Sequence, residues 1–265
     1  MLYPFYEAKR SNETNSIQIF IVDNFSFPPH LHSYVELIYV IEGLFTVSIN
    51  ENTKKLQEGD IAVSFSNDIH SFNTDLSSKT MLIIFSPEII SGYLGKKINK
   101  TLENPFIEKS SIDETTISLI HILFDEFLKS NNEYIVKGLL YSILGKLDCN
   151  FKFKDNIQSY NNTIQNLLKY IESHYSKNIT LESISRDLGY SKFHISRLFT
   201  KKLGYQFNEY VNRLRINMAE RLLIETDMSI LNISIECGFE SHRNFNRVFK
   251  EFTGLTPSSF KKQNI

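Results

Sequence analysis

The chain has 265 residues, 42% hydrophobic, 13% aromatic and 22% charged, which excludes intrinsic disorder and provides for two domains whose cores need neither disulfides nor a structural metal. Only two cysteines occur, Cys149 and Cys237, at no metal-ligand spacing; a zinc finger and a disulfide framework are excluded, and a reducing compartment is expected. The net charge of −1 hides a division, with 14 Lys and Arg against 20 Asp and Glu in residues 1–160 and 15 against 10 in residues 161–265, so that the C-terminal part fits a polyanionic partner, although so modest an excess also suits a solvated surface.

The opening MLYPFYEAKRSNETN has no basic stretch followed by an apolar one, and the longest apolar runs have core-strand length. A cytoplasmic protein with no export signal and no membrane span is expected. From Ile17 to Phe85, runs with period-2 alternation or brief apolar character (17–22, 35–41, 45–49 and 81–85) are separated by turn signals at Glu42-Gly43, Asn50-Glu51-Asn52 and Glu58-Gly59-Asp60. No helical segment is long enough to cross over between them, so they predict an antiparallel barrel or jelly roll rather than a parallel α/β sheet.

Beyond Pro87 the period changes. Ile117, Ile120, Phe124, Phe127 and Leu128, then Ile135, Leu139, Ile143 and Leu147, recur at helical spacing and predict two amphipathic helices. Ser111 and Glu114 read as a capping box that starts the first near Ile112. The apolar faces of these helices either cover the barrel or join a second subunit. Residues 149–161, CNFKFKDNIQSYN, show no sustained period and read as a linker between a domain at 1–148 and an all-helical domain at 162–265.

The helical part contains a repeat. At an offset of 50, SKFHISRLFTKKLGYQFNEY aligns with SHRNFNRVFKEFTGLTPSSF, matching Ser191 with Ser241, Arg197 with Arg247, Phe199 with Phe249 and Gly204 with Gly254. Each copy has the grammar of a helix-turn-helix: residues 181–188 or 230–237, a glycine that ends the helix, and a serine that caps the next one. Ile195, Leu198 and Phe199, or Phe245, Val248 and Phe249, face the core. The opposite face offers Lys192, Phe193, Ser196 and Arg197 in one copy and His242, Arg243, Asn246 and Arg247 in the other. Arginine can grip guanine and asparagine adenine in a bidentate way, while Lys192 and Lys201 suit backbone phosphates. Between the copies, residues 207–224 predict one helix of roughly 27 Å, long enough to set two recognition helices in successive major grooves about 34 Å apart.

Residues 180–262 closely resemble the AraC/XylS family of transcription regulators. The resemblance rests on Gly189-Tyr190-Ser191, Ser196-Arg197-Leu198-Phe199, Arg215 with Ala219 and Leu222-Leu223, and the run from Ile233 to Pro257 with Cys237-Gly238-Phe239 and Phe249-Lys250. It implies that Phe193, Ser196, Arg197, His242, Arg243, Asn246 and Arg247 lie where family members contact DNA. Ser185 and Ser234 replace the usual small alanine of each first helix; serine is nearly isosteric and can bond back to a carbonyl.

In the N-terminal part, Pro28-Pro29-His30-Leu31-His32, Glu36, Gly43, Gly59-Asp60 and His70 resemble the double-stranded β-helix of the cupins. Alternation puts His30 and His32 on one face, which Glu36 can share. Three histidines and a carboxylate also form a ligand set for iron, manganese or zinc. Against a metal, Phe65 and Asn67 stand where the proline and glycine of metal-binding relatives are expected, and the same pattern is frequent in metal-free sensor domains of AraC-type regulators. His30, His32, Glu36 and His70 are therefore assigned to a small polar effector, with His32, Glu36 and His70 either bonding it or satisfying one another; Tyr34 and Tyr39 add aromatic and hydroxyl surface nearby, strand position leaving open which way each points, and no metal, cofactor or catalytic residue is assigned.

The whole predicts an α+β two-domain chain, a cupin-like barrel with following helices and an all-α double helix-turn-helix domain. The expected function is a DNA-binding transcription regulator that responds to a sugar or related metabolite, not an enzyme. Its expected partners are double-stranded promoter DNA, the effector, a second copy through residues 112–148, and RNA polymerase. The alternatives are a metal-dependent cupin enzyme with a regulatory DNA-binding tail and a regulator controlled by a protein partner on the 112–148 helices.

Overall fold

The computed structural model describes residues 17–95, 100–129, 132–155 and 158–264; the first 16 residues, read above as lacking an export signal, fall outside them. Two compact units divide between Gln158 and Ser159. Among the described residues, no helix is long and apolar enough to cross a membrane.

The strands of the first unit are β1 (Ile17–Asp23), β2 (Phe27–His30), β3 (Val35–Ile49), β4 (Asn52–Gln57), β5 (Ile61–Ser64), β6 (His70–Asn73), β7 (Ser78–Phe85), β8 (Lys100–Leu102), β9 (Phe106–Ile107) and β10 (Phe153–Asp155). The runs 35–41 and 45–49, predicted as two strands with a turn at Glu42-Gly43, form one strand, β3. The chain bends there without reversing. Its pairing with β7 slips between Val40 and Glu42, and Gly43 takes φ +79° with the Ser77 carbonyl oxygen 2.3 Å from where a Cβ would stand. Only glycine fits that approach.

The bend lets β3 serve two antiparallel sheets. Residues 35–43 pair with β7 and β5, and residues 44–49 pair with β4 and β6. β1 and β9 extend the first sheet and β2 the second. Alternation along β3 and β7 sends Val35, Leu37, Tyr39, Met81, Ile83 and Phe85 to one face of the first sheet. There they share a core with helices α2 and α3, while Glu36 is turned the other way.

Helix α1 (Ser91–Leu94) is short; α2 (Glu114–Lys129) and α3 (Glu133–Leu147) form the predicted pair. Ile120 and Leu123 of α2 and Val136, Leu140, Ile143, Leu144 and Leu147 of α3 join the sheet's core, so the inner face covers the sheet. In α3 the buried stripe includes Val136 and Leu140 rather than Ile135, which is exposed. Both stripes are apolar at helical spacing, and the sheet selects between them. The expected capping box is corrected: Asp113 Oδ1 accepts a hydrogen bond from Thr116 N at 2.7 Å, whereas Ser111 closes a 3₁₀ turn and Ile112 is extended. The segment read as a linker is also structured as far as Asp155, with β10 pairing to β8 and the rings of Phe151 and Phe153 lying 6.3 and 5.6 Å from Phe65. Those contacts are nonlocal and leave no period in the sequence.

The second unit contains α4 (Gln158–His174), α5 (Leu181–Leu188), α6 (Lys192–Leu198), a π-helical turn (Phe199–Leu203), α7 (Phe207–Glu225), α8 (Ile230–Glu236), α9 (His242–Thr253) and α10 (Pro257–Asn264). The α5–α6 and α8–α9 pairs are the two copies of the repeat. Helix α7 serves both: Phe207 and Tyr210 meet Phe199 of the first copy at 5.5 and 5.3 Å, and Ile216, Ala219, Leu222 and Leu223 enter the core of the second. Arg215 of α7 donates from Nε to Tyr175 O and from a guanidinium nitrogen to Lys177 O, both at 2.8 Å, and lies over the Phe239 ring. It fastens the segment after α4 to the second copy.

Candidate functional site

The two recognition helices have the same pattern of burial, position by position, from Ser191 to Thr200 and from Ser241 to Lys250. Ser191 Oγ accepts from His194 N and Ser241 Oγ from Asn244 N, each at 3.2 Å, as the predicted caps require. The preceding helices end as read, with Gly189 at φ +75° and Gly238 at φ +83°. In the second copy Ser234 is buried and its Oγ donates to Leu231 O at 2.7 Å, which absorbs the hydroxyl that an alanine would not bring.

The predicted DNA-facing side chains line the outward face. Phe193 is 77% exposed, beside the exposed Lys192 and Arg197. Lys192 Nζ pairs with Glu182 at 2.8 Å. In the second copy His242 and Arg243 are exposed, and Asn246 Nδ2 donates to His242 O at 3.0 Å. Arg247 pairs with Glu251 and donates to Asn244 Oδ1, each at 3.0 Å. Ser196 and Asn246 are half-buried at equivalent positions. Exposed ion pairs of this kind are weak and yield to phosphate.

The four residues assigned to an effector converge inside the first unit, by a route other than the one predicted. His30 ends β2, His32 lies in the connection that follows, Glu36 is near the start of β3 and His70 opens β6. Pairing of β2 with β6 sets His30 opposite His70 and Phe27 opposite Phe72. One donor atom from each of the four lies within 4.8 Å of the others. Glu36 Oε2 is 3.2 Å from His32 Nε2 and 3.1 Å from His70 Nε2. His32, Glu36 and His70 are buried, and His30 is half-buried.

Burial pushes the His30 imidazole well below its ordinary value, with the neighbouring His70 and His32 adding to the shift. Burial likewise takes His32 down to about 4, against the bond to Glu36. For Glu36 burial acts upward, but the bonds from His32 and His70 prevail and hold the carboxyl well below the usual carboxylate range.

Several supporting residues escaped the sequence reading. Asp68 accepts from Phe65 N at 2.9 Å, Asn50 Nδ2 at 2.7 Å and Thr101 Oγ1 at 3.1 Å, which fixes the loop before His70. Asn67 N donates to His32 O at 2.7 Å. Phe27 and Phe72 flank His30, with ring centroids at 4.4 and 5.8 Å. Only the short Asp68-Ile69-His70 spacing hinted at this support. Tyr34 stands next to His32, at 6.3 Å between rings. Tyr39 does not join the site: it lies on the helix-covered face, 5.7 Å from the His121 ring.

Comparison with known proteins bears on both units. The AraC-like ligand binding domain family matches residues 18–144, and a helix-turn-helix domain family matches residues 184–263. The chain is 26% identical over 252 residues to the Msm operon regulatory protein of Streptococcus mutans, covering 90% of this chain and 88% of that one. It is 26% identical over 234 residues to an HTH-type transcriptional regulator of Staphylococcus aureus, of which it spans only 31% of the length. Among solved structures, ToxT of Vibrio cholerae superposes with a TM-score of 0.60 at 14% identity, covering 96% of this chain and all of that one, a likeness of fold.

Proposed function

The chain belongs to the AraC/XylS family of transcription regulators, joining an AraC-like ligand-binding domain to a DNA-binding helix-turn-helix domain, and on that premise we propose that it is a one-component regulator whose β unit binds a sugar or related polyhydroxylated metabolite. The observation that carries the DNA half is the repeated burial pattern of α6 and α9, which leaves an outward face on each. Lys192, Phe193, Ser196 and Arg197 read one major groove, and His242, Arg243, Asn246 and Arg247 the next. A helix of 19 residues between the copies spans about 28 Å, compatible with neighbouring grooves one turn apart.

The effector half is supported by the buried cluster of His30, His32, Glu36 and His70, which offers donors and acceptors suited to hydroxyl groups. The outer sides of α2 and α3, with Leu128 and Tyr134 exposed, form the surface for a second copy, and RNA polymerase is the further partner at the promoter. The protein works in the cytoplasm, without enzymatic activity. Its relatives are named as regulators, which gives the enzyme alternative no support.

Effector binding shifts the population of arrangements that engage a pair of half-sites. Such coupling is reciprocal, so saturating operator changes effector affinity by the same factor by which effector changes operator affinity. The test begins with selection of DNA from a random pool, followed by a thermal-melting screen of sugars, polyols and sugar acids on the full chain. Two selected half-sites about one helical turn apart and one saturable stabiliser are expected. A pool with no sequence preference overturns the DNA reading, and effector affinity that ignores bound operator overturns the coupling.

A further inference from the structure

We propose that Arg215 is a positioning residue that sets the base-pair spacing between the two DNA half-sites. It does so by clamping the turn that leads into α9 to the segment that leads into α5. This inference rests on the reading that α6 and α9 occupy neighbouring major grooves.

The linking helix does not fix the pose of α9 by itself. Helix α7 sets the separation of the copies, and the second copy is seated on it through Ile216, Ala219, Leu222 and Leu223. Apolar packing is non-directional, so it holds a helix down more firmly than it fixes its angle. Hydrogen bonds constrain both distance and direction.

A directional tie comes from elsewhere in the chain. Arg215 Nε and a terminal guanidinium nitrogen donate to Tyr175 O and Lys177 O, each at 2.8 Å. The guanidinium carbon stands 5.6 Å from the centroid of the Phe239 ring, within cation–π reach. On the same segment, Ser176 O lies 2.5 Å from where a Cβ of Gly238 would stand, so the two backbones touch. Asn178 Nδ2 donates to Glu240 Oε1 at 2.8 Å. Residues 175–178 are thus held against residues 238–240 at successive points along the turn.

Both sides of this contact run directly into a helix-turn-helix copy. Phe239 is buried with its ring 5.2 Å from that of Phe245 on α9, and Ser241, next after Glu240, caps α9. On the other side Thr180, two residues after Asn178, caps α5 through reciprocal bonds with Ser183. A shift at Arg215 therefore tilts α9 against the first copy. The helix-turn-helix does not itself require such a contact: among the described residues nothing stands within 4 Å of where a Cβ of Gly189, the equivalent turn glycine, would lie.

Arginine suits the task because its planar fork meets two carbonyls and stacks on a ring at once, whereas lysine offers one ammonium and no plane. Each base pair added between half-sites moves the second by about 3.4 Å and turns it by roughly 35° about the duplex axis. A rigid pair of recognition helices follows neither change, and a loosely jointed pair follows both in part.

The test uses the full chain to select half-site pairs from a random duplex pool; the preferred duplex is then remade with its half-sites moved by one or two base pairs. Anisotropy titrations compare the wild type with Arg215→Ala, Arg215→Lys and Asn178→Asp, each checked for a folded melting transition. The wild type is expected to lose at least about tenfold in affinity per base pair of displacement. Arg215→Ala and Arg215→Lys are expected to bind an isolated half-site as the wild type does, yet to discriminate between spacings by less than about threefold. Asn178→Asp, at an exposed bond whose loss leaves folding intact, sets a carboxylate against Glu240 and is expected to relax the preference in part. Wild-type discrimination retained in Arg215→Lys and Asn178→Asp overturns the proposal, as does an equal loss of affinity on every spacing, which a merely structural residue would give. A wild-type chain that binds one half-site as tightly as two sinks the two-groove reading and the proposal with it, whereas a fixed wild-type spacing that survives in the variants sinks the role of Arg215 and leaves that reading standing.

Discussion

The two helix-turn-helix copies are built alike and dressed differently. Ile195, Leu198 and Phe199 in one and Phe245, Val248 and Phe249 in the other are all buried, and both recognition helices start from a serine cap. The exposed positions diverge: an apolar ring, Phe193, stands where the second copy has Arg243, and Lys192 where it has His242. The helix ends diverge too. Gly189 has open space around it, whereas Gly238 lies against the backbone of Ser176, in the segment that Arg215 fastens. Core positions are held in common because both copies must bury the same face; surface positions are released from that demand and are free to differ.

If the cores are equivalent, Phe199→Ala and Phe249→Ala should each cost about 3 to 5 kcal/mol. Urea unfolding of the full chain measures both, and a cost confined to one variant would mean that one copy alone sustains the unit. The next effect is set by pH. Burial raises Glu172 and Glu220 to about 7 each, against the charges of Lys169 and Arg213. Glu172 is felt by Tyr210, beside the first core, and Arg213 lies over Phe252 of the second copy. A carboxyl with a raised pKa holds its proton more tightly when folded, so its stabilisation is full below pH about 4.5 and is lost as pH rises through about 7. The loss is up to roughly 3 kcal/mol per group. Glu172→Gln and Glu220→Gln should each flatten part of this profile in melts from pH 4 to 8; a profile unchanged in both refutes the assignment.

The turns should separate more finely. Gly189→Ala pays only for the left-handed conformation, about 1 kcal/mol, while Gly238→Ala also drives a Cβ to 2.5 Å from Ser176 O and should cost at least about 2 kcal/mol. Equal losses would show that the Ser176 segment yields freely. On the exposed face the effect is read in DNA binding and leaves stability nearly unchanged. Arg243→Ala should weaken specific DNA binding by about 1 to 3 kcal/mol and relax base preference, whereas Lys201→Ala should chiefly lower the salt dependence. Anisotropy titrations over a salt series distinguish the two, and equal small losses on every sequence would remove Arg243 from base readout.

Local periodicity made the strands, the paired helices and the duplicated helix-turn-helix legible, because caps, turn glycines and 3.6-residue spacing act within a few residues. It failed where the deciding partner was distant in the chain. The bend at Gly43 depends on Ser77, the order of Phe151 and Phe153 depends on Phe65, and the stripe of α3 that is buried depends on the sheet beneath it. The candidate site divides in the same way. His30, His32, Glu36 and His70 were readable as a set, but their convergence comes from strand pairing between β2 and β6 and from the start of β3, not from alternation along one strand.

The sequence by itself determined which residues could be buried and which face of each repeat would be exposed, since both follow from side-chain chemistry at fixed local spacing. Only the tertiary structure decided where the three imidazole rings point. His32 and His70 meet one carboxylate, Glu36, which stands 34 residues from His70 in the chain, and hydrogen-bond direction is a property of packed neighbours rather than of residue order.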